Sequence, residues 1–259
     1  EQVLLFRFLP NELAADVFEY LDFDTQISFI RTMSRENVTE ILNEMSPDDR
    51  TALFEEMPAN VVKQMIAYLS AEEKKIAQQL LGYPENSVGR LMTPDYIAVK
   101  EDWTVQQTLN YIRENGKNSE TLNVVYVIDN RGRLIDDIKI RDFLLSPLET
   151  KITDLMDGNY VHLSVNDDQE TAIEVFKKYD RTALPVIDGA GNLVGIVTID
   201  DILDIAEEEA TEDIHKLAGI EALEDSYPST SIFQMIKKRA GWLSILFISE
   251  MFTATAMGF

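Results

Sequence analysis

LPVIDGAGNLVGIVTIDDILDI, residues 184–205, decides how the chain is read. A β-rich run, Leu184–Asp188, meets a glycine-bearing turn, Gly189-Ala190-Gly191. The run Val194–Ile199 then returns, and Asp200-Asp201 opens a helix. Two apolar runs joined by a short glycine turn predict a hairpin, and an acid at the strand-to-helix junction suits a helix N-cap. The same order occurs earlier: VVYVID, then NRG, then a return strand Ile135–Ile140, then Arg141-Asp142. Upstream of each hairpin lie a short strand (Tyr96–Val99; Tyr160–Leu163) and an amphipathic helix (Val105–Arg113; Gln169–Tyr179). Leu91-Met92-Thr93-Pro94 opens the first copy and Leu155-Met156-Asp157-Gly158 the second. Asp142 and Asp201 are 59 residues apart, whereas Leu91 and Leu155 are 64 apart. Copy one therefore carries about five extra residues near Asn115–Leu122, which read as a polar surface loop.

Working outward toward the N-terminus, breakers recur every 12 residues: Met33-Ser34, Met45-Ser46, Met57-Pro58, Leu69-Ser70 and Leu81-Gly82. Ser46-Pro47-Asp48-Asp49 combines an N-cap, a proline at the first helical position and acids in the first turn. Ser70 with Glu73 fits a capping box. Three-turn helices that cannot each bury a face alone must stack, which predicts a superhelical α-domain. Such a domain by itself speaks only of packing or partner contact.

Toward the C-terminus, residues 200–225 hold eleven acids and one base, Lys216. A helix from Asp200 toward Gly219 would place Leu203, Ala206, Ala210, Ile214 and Leu217 on an apolar stripe. Asp201, Asp204, Glu208 and Glu212 would form an acidic one. Carboxylates ~6 Å apart repel by about 3 kcal/mol at an effective dielectric near 20. Clustered oxygen ligands without cysteine suit Mg²⁺ or Ca²⁺ rather than zinc or copper; a solvated acidic helix is the plainer alternative. Beyond it, Lys237-Lys238-Arg239 precedes Ala240–Phe259, an apolar 20-residue stretch containing Glu250. Its length is that of a membrane span, and the basic cluster places the preceding residues on the cytoplasmic side. An apolar helix docked on a soluble domain is the other reading. The stretch looks like the first membrane helix of a longer protein.

The whole chain has 259 residues, 46 acids against 23 bases and a net charge of −23. That balance disfavours nucleic acid and favours cations or basic partners. With no cysteine and two histidines, disulfides, thiolate zinc sites and cysteine nucleophiles are excluded. No P-loop or GxSxG string is present, and no enzyme activity is expected. No secretory leader is visible at the EQVLLF start.

The duplicated β-α-β-β-α unit resembles a pair of CBS domains, on Leu91–Pro94, Leu184-Pro185-Val186, Gly195-Ile196-Val197-Thr198 and Thr198-x-x-Asp201. In that family the threonine and aspartate at the strand-to-helix turn often hold an adenosine ribose. Copy one departs from the pattern with Lys139 at the threonine position. The resemblance makes Arg141, Asp142, Arg181 and Thr198 candidates for an adenine nucleotide such as ATP, with helix capping as the alternative for Asp142 and Asp201.

SPDDR (46–50), GRLMTP (89–94), LPVID (184–188), GIVTIDDILDI (195–205) and EEEATEDIHKLAG (207–219) in this order resemble the cytosolic part and first membrane helix of MgtE-type Mg²⁺ transporters. The resemblance implies an α+β multi-domain chain. An all-α superhelical repeat domain (1–90) would precede a tandem CBS pair (91–150 and 151–208). A long acidic connecting or "plug" helix (200–225) and the start of a membrane helix (230–259) would follow. It implies a homodimer through the CBS domains in the inner membrane, multi-pass in the full protein, with residues before about 237 cytoplasmic. Mg²⁺ would bridge acidic surfaces and favour a closed pore. The ligands so implied are Asp201, Asp204, Glu209, Glu212 and Asp213 on the plug helix, and Asp168, Glu170 and Asp180 on the second CBS unit. Asp48, Asp49 and, more weakly, Asp16 would come from the helical domain. A nucleotide-sensing CBS module of another membrane protein is the competing expectation.

Overall fold

The computed structural model describes Phe6, residues 9–217 and Phe247. Residues Glu1–Ile202 form one compact unit and Leu203–Phe259 a second. The expected apolar helix at 230–259 and the end of the acidic segment, 218–225, lie outside the described residues apart from Phe247. Among the described residues no helix is long and apolar enough to cross a membrane.

The 12-residue period becomes six short helices: α1 (Asn11–Glu19), α2 (Phe23–Thr32), α3 (Arg35–Glu44), α4 (Pro47–Glu55), α5 (Ala59–Ile66) and α6 (Ala71–Leu80). Their N-caps, Pro10, Asp22, Ser34, Ser46, Pro58 and Ser70, keep that spacing throughout. Asp22, Ser34 and Ser70 accept a backbone N–H three residues on, satisfying donors that a helix start leaves unpaired. The inward faces share one core that includes Phe18, Phe29, Leu42, Leu53, Phe54 and Met65.

Arg50 is fully buried in this domain. Its Nη1 donates to the Leu42 carbonyl at 2.9 Å and its Nη2 pairs with the Glu73 carboxylate. A buried guanidinium left without partners would be costly, so these bonds lock α4 between α3 and α6. That lock fixes the first turn of α4, where Asp48 and Asp49 lie.

The two later copies have the same topology. Copy one has β1 (Ala98–Lys100), α8 (Val105–Asn115), β2 (Val124–Ile128), β3 (Leu134–Lys139) and α9 (Ile140–Leu145), after a one-turn helix α7 (Val88–Leu91). Copy two has β4 (Leu163–Ser164), α10 (Gln169–Tyr179), β5 (Ala183–Ile187), β6 (Leu193–Thr198) and α11 (Ile199–Leu217). In each sheet the first strand runs parallel to the second, and the second antiparallel to the third. The hairpin turns match as well: Asp129 Oδ1 accepts the Arg131 and Arg133 amides, and Asp188 Oδ1 those of Ala190 and Asn192. Gly132 and Gly191 take φ of +86° and +83°, a region where a side chain is strained.

The segments that open each copy pack on the other one. Thr93 and Ile196 exchange two backbone hydrogen bonds of 2.9 Å, which ties the lead-in of copy one to β6. The Val88 and Gly89 amides bond the Asp167 and Val165 carbonyls. In return, the amides of Asp157 and Gly158 donate to Asp136 Oδ2 on β3, at 2.9 and 3.0 Å. The exchange also corrects the expected first strands. Those strands begin later than Tyr96 and Tyr160, because both tyrosines face across: their hydroxyls donate to the carbonyls of Leu193 and Leu134. Leu134 and Leu193 share a core with Val124, Tyr126 and Ile196, so the pair is one packed body rather than two beads.

Gly195 permits this crossing. A Cβ there would sit 2.7 Å from Met92 Sδ and 2.9 Å from the Thr93 carbonyl oxygen, and the carbonyl cannot swing away without breaking its bond to Ile196. Gly195→Ala is therefore expected to destabilise the chain by about 1–3 kcal/mol, read by urea unfolding. An unchanged midpoint would show that the lead-in is not held there.

Candidate cation site

At the start of α4, Ser46 Oγ donates to Asp49 Oδ2 at 2.7 Å. The neighbouring Asp48 is only 7% exposed, and its Oδ1 has no hydrogen-bond partner. A buried carboxylate oxygen without a donor is costly. Burial raises the Asp48 pKa well above the usual carboxylate range, and the nearby charges of Asp201, Asp49 and Glu120 push it further.

Asp201 reaches the same neighbourhood from the start of α11. At the third position of that helix it reaches back to the residue before the helix, accepting from the Thr198 hydroxyl and, at 3.3 Å, from the Thr198 amide. Those bonds favour the ionised form, yet desolvation outweighs them, and with Asp200 and Asp49 nearby its pKa rises to about 7. Glu19, at the end of α1, accepts the Ser46 amide at 2.7 Å. It too is pushed to about 7, mainly by burial, with smaller contributions from Asp49, Asp16 and Glu120. Glu120, in the loop after α8, is raised by partial desolvation and by Asp200, Asp49 and Asp95. Carboxylates from the helical repeats, copy one and the start of α11 thus act on one another electrostatically.

Of the residues expected from sequence, Asp49 and Asp201 are near enough to Asp48 to raise its pKa, Asp49 raises that of Asp201 too, and Asp16 adds to the rise of Glu19. Among the described residues no three acids are drawn in tightly enough to form a ready-made metal-binding group. What the site holds is mutually repelling carboxylates, with one buried oxygen of Asp48 lacking a donor. Mg²⁺ prefers oxygen donors and keeps several waters, so the donor chemistry of these side chains is of the kind a hard divalent cation takes.

Other candidates are placed elsewhere. Asp168 caps α10 by accepting the Glu170 amide at 3.0 Å, and Asp180 ends that helix in a left-handed conformation, φ +52°. The helix between them has 11 residues, about 16 Å at 1.5 Å per residue, so Asp168 and Asp180 cannot share an ion within one chain. Glu170 is exposed at the Asp168 end. Asp204 and Glu209 lie further along α11, in the second compact unit. Glu212 and Asp213 are helical, but their side chains lie outside the described ones.

The nucleotide candidates divide in two. Arg141 and Asp142 pair with each other at 3.3 Å on the exposed start of α9. Arg181 and Thr198 are already engaged: Arg181 Nη1 bonds Asp137 Oδ2 at 2.9 Å across the two copies, and Thr198 bonds Asp201. Sequence reasoning did not single out Glu19, Asp95, Glu120 or Asp137. The one available signal was the length difference between the copies, which marked the Glu120 loop without showing where it leads.

Comparison with known proteins supplies a second line of observation. Residues 1–86 match the model of the MgtE intracellular N domain, and residues 88–149 and 152–208 match that of the CBS domain. The magnesium transporter MgtE of Thermus thermophilus is 34% identical over 253 residues, covering 96% of this chain and 56% of the relative. The MgtE of Bacillus subtilis is 29% identical, with 95% and 57% covered. The chain therefore spans about half the length of these curated relatives. Among solved structures, the cytosolic domain of the Mg²⁺ channel MgtE in complex with ATP aligns with TM-score 0.75 at 32% identity, covering 79% of this chain and 84% of that one. The soluble part of a magnesium transporter aligns equally well, with TM-score 0.75 at 28% identity. On its helical N domain, its CBS pair and these matches, the chain belongs to the MgtE family.

Proposed function

We propose that this chain is the cytosolic Mg²⁺-sensing region of a magnesium transporter or channel, and that it works by cation-linked closure. The observation that carries the reading is the buried, unpartnered Asp48 Oδ1 among the charges of Asp49, Asp201 and Glu120. Without a cation these carboxylates repel, and the helical domain is pushed from the CBS pair. With Mg²⁺ bound, repulsion becomes bridging, and the compact arrangement gains in population by its differential affinity for the ion. Each carboxylate pair is worth a few kcal/mol at short range, comparable to a usual coupling free energy. The acidic part of α11, with Asp204, Glu209, Glu212 and Asp213, would carry the state of the site toward a membrane-embedded pore. Asp168, Glu170 and Asp180 would belong to further, weaker cation contacts of copy two. The working unit would be a homodimer through the CBS domains, held on the cytoplasmic side of the inner membrane by helices that follow. Transport itself would belong to those helices, and no enzymatic step is assigned to this chain.

A second ligand is favoured by one observation: the side chains of Arg141 and Asp142 pair with each other at the exposed start of α9. A solved MgtE cytosolic domain contains ATP, and an adenine nucleotide is the ligand such a strand-to-helix turn would take here. Arg181 and Thr198 would join only by exchanging their present partners. Nucleotide binding would then act through the CBS pair, separately from the carboxylates.

Mg²⁺ is expected to raise the melting temperature of the chain far more than NaCl of equal ionic strength. Asp48→Asn should abolish the Mg²⁺-specific part while keeping the side-chain shape. Equal effects of the two salts would refute the sensor reading. A pH dependence follows from the raised pKa values of Glu19, Asp48 and Asp201. Between the ordinary carboxylate range and about 7 the folded state holds more protons than the unfolded one. Metal-free stability should therefore fall as pH rises through that window, by up to ~1.4 kcal/mol per pH unit for each proton released. Saturating Mg²⁺, which takes the place of those protons, should flatten the decline. Chemical denaturation at pH 5 and pH 7.5, with and without Mg²⁺, measures both slopes; parallel slopes would contradict the site.

A further inference from the structure

The two CBS copies, alike in backbone, differ in chemistry at three matching positions. The middle of β2, Tyr126, stands opposite Asp137 on β3, whereas the middle of β5, Pro185, stands opposite Ile196 on β6. Two residues ahead of the same strands lie Leu122 in copy one and Arg181 in copy two. Like bonds anchor the match: the Ile140 amide donates to the Asn123 carbonyl and the Ile199 amide to that of Thr182, both at 3.0 Å. Arg181 crosses from copy two to pair with Asp137 of copy one through Nη1 and Oδ2 at 2.9 Å, their side chains 21% and 6% exposed. Directly opposed residues on antiparallel strands share a face, with Cβ atoms about 4.5–5.5 Å apart, so the Tyr126 ring rises beside the Asp137 carboxylate. Tyr126 is 1% exposed and meets Tyr96 edge-on, with 6.2 Å between ring centroids. The Tyr96 hydroxyl donates to the Leu193 carbonyl, but that of Tyr126 has no hydrogen-bond partner among the described residues. A buried phenol left unpaired asks for an explanation. Burial, and then the Asp137 charge, raises its pKa.

We propose that Tyr126 is the reserve partner of Asp137: when Arg181 swings to an anionic ligand at the Arg141 turn, the Tyr126 hydroxyl donates to the vacated carboxylate. The inference rests on the nucleotide reading above and adds the residue that makes Arg181 available to it. Arg181 is the outer member of the ion pair and Asp137 the inner one, so the guanidinium is the group that can leave. Its planar fork suits phosphate oxygens as well as a carboxylate. Arg141 lies four residues beyond Asp137, at most about 13 Å along an extended strand, a span that one nucleotide covers. Departure of Arg181 without a substitute would strand a buried charge, and ligand affinity would fall by that cost. A hydroxyl already in place needs only to reorient its proton and shift toward the oxygen. Copy two, with Pro185 opposite Ile196, has no charge to protect and keeps no such reserve.

The test is a double-mutant cycle on the full chain, Tyr126→Phe against Arg181→Met, read by urea unfolding without ligand and by calorimetric titration with ATP. Tyr126→Phe alone should leave the urea midpoint unchanged or raise it, because the hydroxyl it removes is unpartnered. On the Arg181→Met background, where Asp137 must use its reserve, the same change should lower the folding equilibrium constant roughly tenfold. Equal effects of Tyr126→Phe on both backgrounds overturn the exchange. ATP should bind Tyr126→Phe roughly tenfold more weakly than the original chain, and this difference should vanish when Asp137→Asn is present, since no charge is then stranded. Equal ATP affinities overturn the exchange, and they decide it alone if Arg181→Met does not fold. A loss of affinity that persists with Asp137→Asn marks a direct contact with the ligand and overturns it too. An original chain that takes up no ATP removes the nucleotide reading, while the ligand-free cycle still upholds or overturns the exchange.

Discussion

Repulsion among carboxylates drawn from separate parts of the chain is the constraint on which the rest depends. Asp48 and Asp49 come from a helical repeat, Glu120 from the loop of the first CBS copy, and Asp200 and Asp201 from the start of the last helix. A folded protein ordinarily keeps like charges apart or in water. Here burial keeps Asp48 from water, and the pKa values of Glu19 and Asp201, raised to about 7 first by burial and then by neighbouring carboxylates, record what that placement costs. Protons relieve such repulsion, and on the proposed reading a divalent cation would compete with them for the same oxygens.

The fold supplies rigid mounts for these charges. The Arg50 guanidinium, buried against the Leu42 carbonyl and Glu73, fixes the helix that carries Asp48 and Asp49. The exchanged lead-ins, held at Thr93–Ile196 and at Asp136 with Asp157 and Gly158, make the CBS pair one body. The Arg181–Asp137 pair, largely buried, adds a further tie between the copies. Because Thr198 and Asp201 belong to the end of β6 and the start of α11, a shift in that body is a shift in the cation site. Coupling between the CBS pair and the acids needs no longer path than one strand-to-helix junction.

Much of this was legible in the chain. The 12-residue breakers marked the starts of α3 to α6, with caps at Ser34, Ser46, Pro58 and Ser70, and the hairpin turns at Asp129–Gly132 and Asp188–Gly191 were visible as written. Those signals are local, so periodicity and turn chemistry reveal them. Asp48, Asp49 and Asp201 were named through resemblance and their place at helix starts, and each takes part in the charge interactions around Asp48. What was not legible depends on how distant segments meet. The exchange of lead-ins moved Tyr96 and Tyr160 out of the strands they were expected to begin. Glu19 carried no signal of its own, and Glu120 was one more polar residue of a surface loop. Asp168 and Asp180 flank the helix Gln169–Tyr179 that the pattern already showed, so their separation was legible too. Local pattern identifies elements, while partnership across the chain is decided by packing.

The most direct measurement of the central claim is anomalous diffraction from crystals grown with Mn²⁺ in place of Mg²⁺. The account predicts a peak between the first turn of α4 and the start of α11, bound to Asp48 through Oδ1 at about 2.1–2.2 Å or through a single ordered water, with Asp49 or Asp201 completing the site. A well-ordered map with no peak there, and with Asp48 Oδ1 bonded to a protein donor instead, would contradict it.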